Sequence, residues 1–423
     1  MDLWNAASLG KQTFDFESLT RTQQEQFILF MNDHFPPAAY AHHQEFRECA
    51  LTTMNTVRKA LNGAKQLFPS VVHYESVNSS PDSLKDHALI FTAGGEGERL
   101  RLSLLKQGIP AEDLEDFTKA TFYLPDFYKK FGTLHINLAM VSSLCSKYNI
   151  NIPVIVTTGP KGSITARVIP QLLRQYSNFG LKNIRVIEQD ERLHLTNDNK
   201  IVWQTIDNSV IPVTNPDETG GPLMKLKDKG ETGESVLDWL NKIGCARSIV
   251  VQATALYDQR LLPMMASGLR GHDCLAVGIL RTSFPEKDPF GTFVTLDYGT
   301  SRKTMILEQD IRDATTRTIV DDTGKYYLPY NTGFYAFEND LLANNDLPHF
   351  ATPPKEILPH IERAAKIGYA ATDIVPAAKN PVILAMDQSM FSVLKTADDL
   401  AMLSELGKRY GLDKLCMEFD RKQ

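Results

Sequence analysis

From residue 87 onward the chain alternates short apolar runs with longer amphipathic stretches. HALIFTA (87–93), PVIVTT (153–158), IRVIEQ (184–189), SIVVQATAL (248–256) and CLAVGIL (274–280) have strand length and composition. Between them INLAMVSSLCSKY (136–148), ARVIPQLLRQY (166–176) and LLPMMASGL (261–269) carry apolar residues at helical spacing. Continuous apolar strands separated by amphipathic helices predict a mostly parallel sheet covered on both faces. Near 290–330 the pattern changes to GTFVTLDYG, KTMILEQD and YYLPYNTGFYAF, which predicts antiparallel strands added at one side of that sheet. Ahead of the sheet, residues from about Ser18 to Leu67 read as helices. Thr20-Arg21-Thr22 can start one, with Phe27, Ile28, Phe30 and Met31 along one side, and Phe46, Leu51, Met54, Val57 and Leu61 mark a second. Ser76–Asp86, rich in Ser, Pro and Asp, reads as a linker, and TADDLAMLSELGKRYGL (396–412) as a helix capped by Thr396. The expected division is a helical region and linker over 1–86, an α/β domain over 87–395 and a short helical tail over 396–423.

Composition narrows the class of partner. In 423 residues, 43% hydrophobic and 23% charged, there is enough apolar material for a sizeable core, which argues against disorder. A formal charge of −6 gives no electrostatic reason to expect nucleic acid or an anionic membrane as the main partner. Cys49, Cys145, Cys245, Cys274 and Cys416 are odd in number and lack C-x-x-C spacing, so reduced thiols in a cytosolic compartment fit better than disulfides or zinc. The start MDLWNAASLGKQTFDF lacks the pattern of a secretion signal, and no apolar run approaches the roughly 18 residues of a membrane helix. A cytoplasmic location is expected. The sequence is silent on oligomeric state.

The strongest local signal is ALIFTAGGEGERLR (88–101), an apolar strand running into Gly94-Gly95-Glu96-Gly97 and Arg99. Glycines here permit a sharp turn and close approach of a ligand, and the turn's N–H groups can face phosphate oxygens. Arg99 would add a permanently charged, bidentate partner. The pattern is neither a Walker loop nor the dinucleotide G-x-G-x-x-G, and a plain strand–helix turn is the competing reading.

Taken in order, several segments resemble the UDP-sugar pyrophosphorylases, the uridylyltransferases that join UTP and a sugar 1-phosphate, and within them the UDP-N-acetylhexosamine branch. AGGEGERLR resembles the family's G-G-x-G-T-R-L-G signature, with Glu98 where threonine is usual. VIVTTGPKGSIT (154–165), IEQDERLHLTNDNKIV (187–202), NPDETGGPLMKL (215–226), YNTGFYAF (330–337) and FSVLKTADDL (391–400) are similar to its later blocks, in the same order. The resemblance implies a Rossmann-like, GT-A-like nucleotidyltransferase fold. It implies UTP or UDP-sugar and a sugar 1-phosphate as partners, and magnesium, with manganese as a substitute, as cofactor.

By the same resemblance, Gly94 and Gly95 would lie under the nucleotide, and Arg99 would grip the phosphates that leave as pyrophosphate. Gln189 and Gly220 would contact the uracil edge, with Gly221 allowing close backbone approach. Lys395 would bind the phosphate at the reacting centre, and a second lysine would follow the glycine loop. Lys119 in FTKATFYLP has the better context, while Lys106 lies at the usual distance; Lys119 is preferred. Asp288, Glu308 and Asn331 would hold sugar hydroxyls or an N-acetyl group, and Gly333 would leave them room. One departure stands out. Where the family places a metal-binding aspartate, SIVVQATALYD has Thr254, with Asp258 four residues on, so the metal ligands are left unassigned. This keeps open a UDP-sugar-binding protein without turnover, or a glycosyltransferase using a UDP-sugar donor.

Overall fold

The apolar runs fold into one 11-stranded sheet. Its strands are β1 (Lys65–Leu67), β2 (Val71–His73), β3 (His87–Thr92), β4 (Val154–Thr158), β5 (Ile184–Glu188) and β6 (Arg247–Gln252). They continue with β7 (Cys274–Arg281), β8 (Thr292–Asp297), β9 (Arg302–Leu307), β10 (Tyr327–Glu338) and β11 (Pro381–Met386). This is a computed structural model; it describes residues 12–14, 20–34, scattered positions between 45 and 61, and 63–421 except 96, 115, 129–130, 197–200, 207–208, 231–232, 287, 289, 310 and 352–363.

The strands lie in the order β2–β11–β7–β10–β6–β3–β4–β5. Every neighbouring pair is parallel except those made by β10, which is antiparallel to both β6 and β7. Burial explains the apolar runs: the first five residues of β3 and all five of β4 are buried, so both faces of the sheet are covered there. The helices are α1 (Glu98–Lys106), α2 (Thr133–Tyr148), α3 (Ile164–Gln175), α4 (Leu261–Gly268), α5 (Asp399–Arg409) and α6 (Leu412–Asp420). α4 packs on β6, β7 and β10, and α6 packs on α2 with Phe419 stacked on Phe179.

Several expectations are corrected. The late antiparallel strands are not all at one side: β8 and β9 are appended, but β10 runs through the middle, where Ile249 pairs with Ala336 and Leu275 with the same residue from the other side. Lys65–Leu67, expected in a helix, is a strand paired with β8, and β2 joins the main sheet through β11. Ser76–Asp86 is not a free linker, because Leu84 is fully buried and Ser83 Oγ donates to the Pro263 carbonyl at 3.0 Å. The strand expected over 248–256 breaks after Gln252 and resumes at Ala255–Tyr257, which pairs with Phe391–Val393. Thr396 is not the cap of α5; the Asp399 carboxylate instead accepts the Lys395 and Thr396 N–H groups. Most of the second N-terminal helical stretch lies outside the described residues.

By contacts the chain forms two units. The larger comprises Leu61–Glu188, Leu223–Asp346 and Thr372–Gln423 and holds the sheet; both C-terminal helices belong to it, rather than to a separate tail. The smaller comprises Met1–Ala60, Gln189–Pro222 and Leu347–Ala371. It contains a five-stranded sheet built on Ile201–Ile206 and the helix Arg21–His34, which packs on Ser209–Pro212. That helix starts where expected: Thr20 N–H donates to Gln23 Oε1 at 3.0 Å and Gln23 N–H to Thr20 Oγ1 at 3.4 Å.

Candidate functional site

In a mostly parallel sheet the loops after the strands gather along one edge, and ligands bind there. The structure brings the loops after β3, β4 and β6 together in this way. Ala93 N–H donates to Thr157 O, Ala253 N–H to Thr92 O, and a Cβ on Gly159 would lie 3.1 Å from Gly94 O. Gly94 is buried and Gly95 exposed, and a side chain on Gly95 would meet nothing within 4 Å. Protein packing therefore gives no reason for glycine at 95, which leaves room for an approaching ligand. Gly97 is constrained: with φ +76° it starts α1, and a Cβ would lie 2.8 Å from Lys119 Cβ and 2.9 Å from Phe117 Cε1.

That close approach seats Lys119 beside the loop. Arg99 stands exposed in the first turn of α1, where the helix field favours an anion. Lys119 sits on a turn tied by Thr118 and Thr121, whose hydroxyls are 2.6 Å apart. Its ammonium falls from 10.5 to about 8 through burial, then through repulsion from Lys395 and Arg99. Lys395 is lowered as well, by burial and by Arg99, against attraction from Asp399, Asp288 and Glu308. Its Nζ lies 3.7 Å from the centroid of the Phe290 ring. Lys106, by contrast, occupies an exposed position in the last turn of α1. Lys395 and Arg99 both lower the proton affinity of Lys119, and Arg99 lowers that of Lys395, so these positive charges lie close enough to repel one another and to favour an anion beside them.

The residues expected to meet a sugar divide in two. Asn331 and Gly333 lie on β10: the Asn331 amide donates to Tyr335 Oη at 2.8 Å, and its oxygen accepts the Gly333 N–H at 2.9 Å. Gly333 has φ +76°, and a Cβ there would collide with Gln252 Nε2, whose amide donates to Thr332 O at 2.7 Å. Glu308 flanks Gly291 and is near enough to Asp373 to help raise that carboxyl to about 7, after burial, while Lys303 opposes the rise. Asp288 is differently employed. Its Oδ2 accepts from Arg281 at 2.6 Å and Arg312 at 2.5 Å, and its Oδ1 accepts the Phe290 N–H at 3.1 Å. Burial works against its charge, but the two guanidiniums prevail and hold it below the usual carboxylate range. Asp288 thus braces its loop, and its oxygens are not presented to a sugar.

In the smaller unit Gln189 is buried. Gly220 donates its N–H to Tyr369 O at 2.7 Å and Gly221 to Asp217 O at 3.1 Å. Asp217 is itself held by Arg192 through two bonds of 3.0 Å.

The expected metal position does not fit a carboxylate site. Thr254 ends the β6 loop with its carbonyl accepting the Leu394 N–H at 2.9 Å. Asp258 is buried and accepts from Arg260 Nε at 3.1 Å and 3.0 Å and from Arg260 N–H at 2.9 Å, so it supplies no replacement. Among the described residues no group of three or more His, Cys, Asp or Glu is placed to hold a metal ion, and no helix is long and apolar enough to cross a membrane. Sequence reasoning missed Phe290, Gln252, Asp373 and the Arg281–Arg312 pair. The place of Phe290 two residues after the matched Asp288 is the single hint the sequence offers.

No protein-family model matches this chain, and no curated protein matches it in sequence. Solved structures do match in fold. The chain is similar to the uridine diphosphate N-acetylglucosamine pyrophosphorylase of Trypanosoma brucei in complex with an inhibitor (TM-score 0.66, 14% identity, 93% of this chain and 80% of that one). It is similar to a UDP-glucose phosphorylase of Trypanosoma brucei (TM-score 0.58, 16% identity, 84% and 74%). It is also similar to a mutant UDP-glucose pyrophosphorylase of Leishmania major in complex with UDP-glucose (TM-score 0.55, 14% identity, 90% and 79%). The α/β nucleotidyltransferase-like fold implied by the ordered motifs is therefore the fold observed.

Proposed function

We propose that this protein is a uridylyltransferase that joins UTP and a sugar 1-phosphate, a hexose or N-acetylhexosamine phosphate, to give a UDP-sugar and pyrophosphate. The observation that carries the reading is the cluster of Arg99, Lys119 and Lys395 around a glycine loop at the strand ends, on a fold otherwise met in UDP-sugar pyrophosphorylases.

In this reaction a phosphate oxygen of the sugar 1-phosphate attacks the α-phosphorus of UTP. The bond from that phosphorus to the bridging oxygen breaks, and pyrophosphate leaves with the electron pair. Two anions must be brought together, and charge grows on the leaving group, so positioning and fixed positive charge matter more than a strong base. Arg99 is assigned to the β- and γ-phosphates, with Lys119 beside it, and Lys395 to the phosphate at the reacting centre. Within the larger unit, Glu308, Asn331 and Gly333 are assigned to the sugar.

Pyrophosphate release from the purified protein tests the reading, with UTP, a panel of sugar 1-phosphates, and magnesium or manganese. Release that requires both UTP and one sugar 1-phosphate supports it; no release with any pair is the contrary result. A second reading, a UDP-sugar-binding protein without turnover, is favoured by Thr254 at the strand end and by the engagement of Asp258 with Arg260. Calorimetric binding of a UDP-sugar without pyrophosphate release would select it.

A further inference from the structure

Lys395 is held differently from the other two cations. Its backbone N–H donates to Asp399 Oδ2 at 2.8 Å, and its ammonium rests on the face of Phe290 at 3.7 Å. The Phe290 ring stacks in turn on Tyr330, with centroids 4.7 Å apart and planes 25° apart. The segment beneath is pinned at every point described. Phe290 N–H donates to Asp288, and Asp288 is clamped by Arg281 and Arg312. Gly291 O accepts the Asn331 N–H at 2.8 Å, and a Cβ on Gly291 would lie 2.5 Å from Ile306 Cγ2 and 2.9 Å from Glu308 Oε1.

We propose that Phe290 is the positioning residue of Lys395: its ring, fixed through Asp288, fastens the ammonium by a cation–π contact and leaves the ammonium's N–H groups available to a substrate phosphate. The chemistry distinguishes this from an ion pair. A carboxylate under Lys395 would accept its hydrogen bonds and neutralise it, and each incoming phosphate would have to displace that partner. An aromatic face attracts the cation through its quadrupole and competes for no lone pair. Asp288, the carboxylate next to Phe290, is kept from that role because its oxygens are committed to the two guanidiniums and the Phe290 N–H. The inference rests on the proposed function only for the identity of the phosphate; the contact itself does not.

The test separates the two. Lys395 is acetylated with limiting acetic anhydride across pH 7 to 10, with its labelling followed by mass spectrometry in wild type, Phe290→Leu and Phe290→Tyr. Labelling of Lys106, exposed in the last turn of α1, serves as the internal control. Phe290→Leu is expected to raise Lys395 labelling about threefold or more near pH 8 and to lower kcat/KM for pyrophosphate release about tenfold, while Phe290→Tyr stays within about twofold of wild type. If Phe290→Leu does not fold, Phe290→Met is used in its place. Wild-type labelling of Lys395 in the aliphatic variant, or a Phe290→Tyr variant that behaves like it, overturns the proposal. Altered labelling in a protein that binds no uridine nucleotide leaves the contact standing and removes the proposed function instead.

Discussion

Binding of a UDP-sugar to the cation cluster is expected to take up a proton at Lys119. In the free protein, burial and the neighbouring Lys395 and Arg99 bring this ammonium from 10.5 down to about 8. At about 1.4 kcal/mol per tenfold change in proton affinity, that is on the order of 3 kcal/mol against the charged form. A diphosphate beside it opposes the repulsion and restores the ordinary affinity. If the bound-state value is about two pH units higher, uptake is about 0.7 proton per site at pH 8.5 and about 0.1 at pH 7. The sign follows: below pH 8 the lysine is already charged in the free protein, and above it the ligand must recharge it, so affinity falls as pH rises through 8. A UDP-sugar is the right probe because a diphosphate diester has no proton to exchange near neutrality. Calorimetry in two buffers of different ionisation enthalpy reads the uptake directly. Lys119→Arg, always charged, should remove the share of the uptake that arises at Lys119. Equal uptake in wild type and Lys119→Arg would refute the reasoning, as would none in wild type.

Arg99→Ala and Lys395→Ala should each lower kcat/KM for pyrophosphate release by about a hundredfold or more, the scale of a lost charge-stabilising contact, measured under saturating second substrate. Asp288→Asn should cost about 3 kcal/mol or more in urea unfolding, because it leaves two buried guanidiniums without their counter-charge. Gly333→Ala should cost about 1–3 kcal/mol by the same assay, since φ is +76° and the new methyl meets Gln252. Thr254→Asp should tighten the apparent magnesium affinity of the nucleotide complex in a metal titration, and an unchanged affinity would separate this strand end from the metal.

The elements whose signal is local were readable from the chain. Strand β3 and its glycine turn, helix α2, and the Thr20 start of the first helix all follow from period, length and capping chemistry. What was not readable depends on distant partners. Lys65–Leu67 continues a helical composition, but its edge is taken by β8 more than two hundred residues away. The central place of β10 is set by pairing with β6 and β7, which no local pattern encodes. Ser76–Asp86 has the polarity of a linker, yet one buried leucine anchors it. The candidate site divides the same way. The glycine loop and Lys395 stand in recognisable blocks. The commitment of Asp288 to Arg281 and Arg312 could not be seen, because the acceptor and one donor lie 24 residues apart and meet only through the fold.

The central claim is that Arg99, Lys119 and Lys395 together form the phosphate site of a uridine nucleotide. The most direct measurement is a calorimetric titration of a UDP-sugar into wild type and into the triple variant Arg99→Ala, Lys119→Ala, Lys395→Ala at pH 7, with folding of both checked by circular dichroism. The account requires saturable binding to the wild type and a loss of about a hundredfold or more in the variant. Equal affinity in the two proteins, or no binding to the wild type at millimolar ligand, contradicts it.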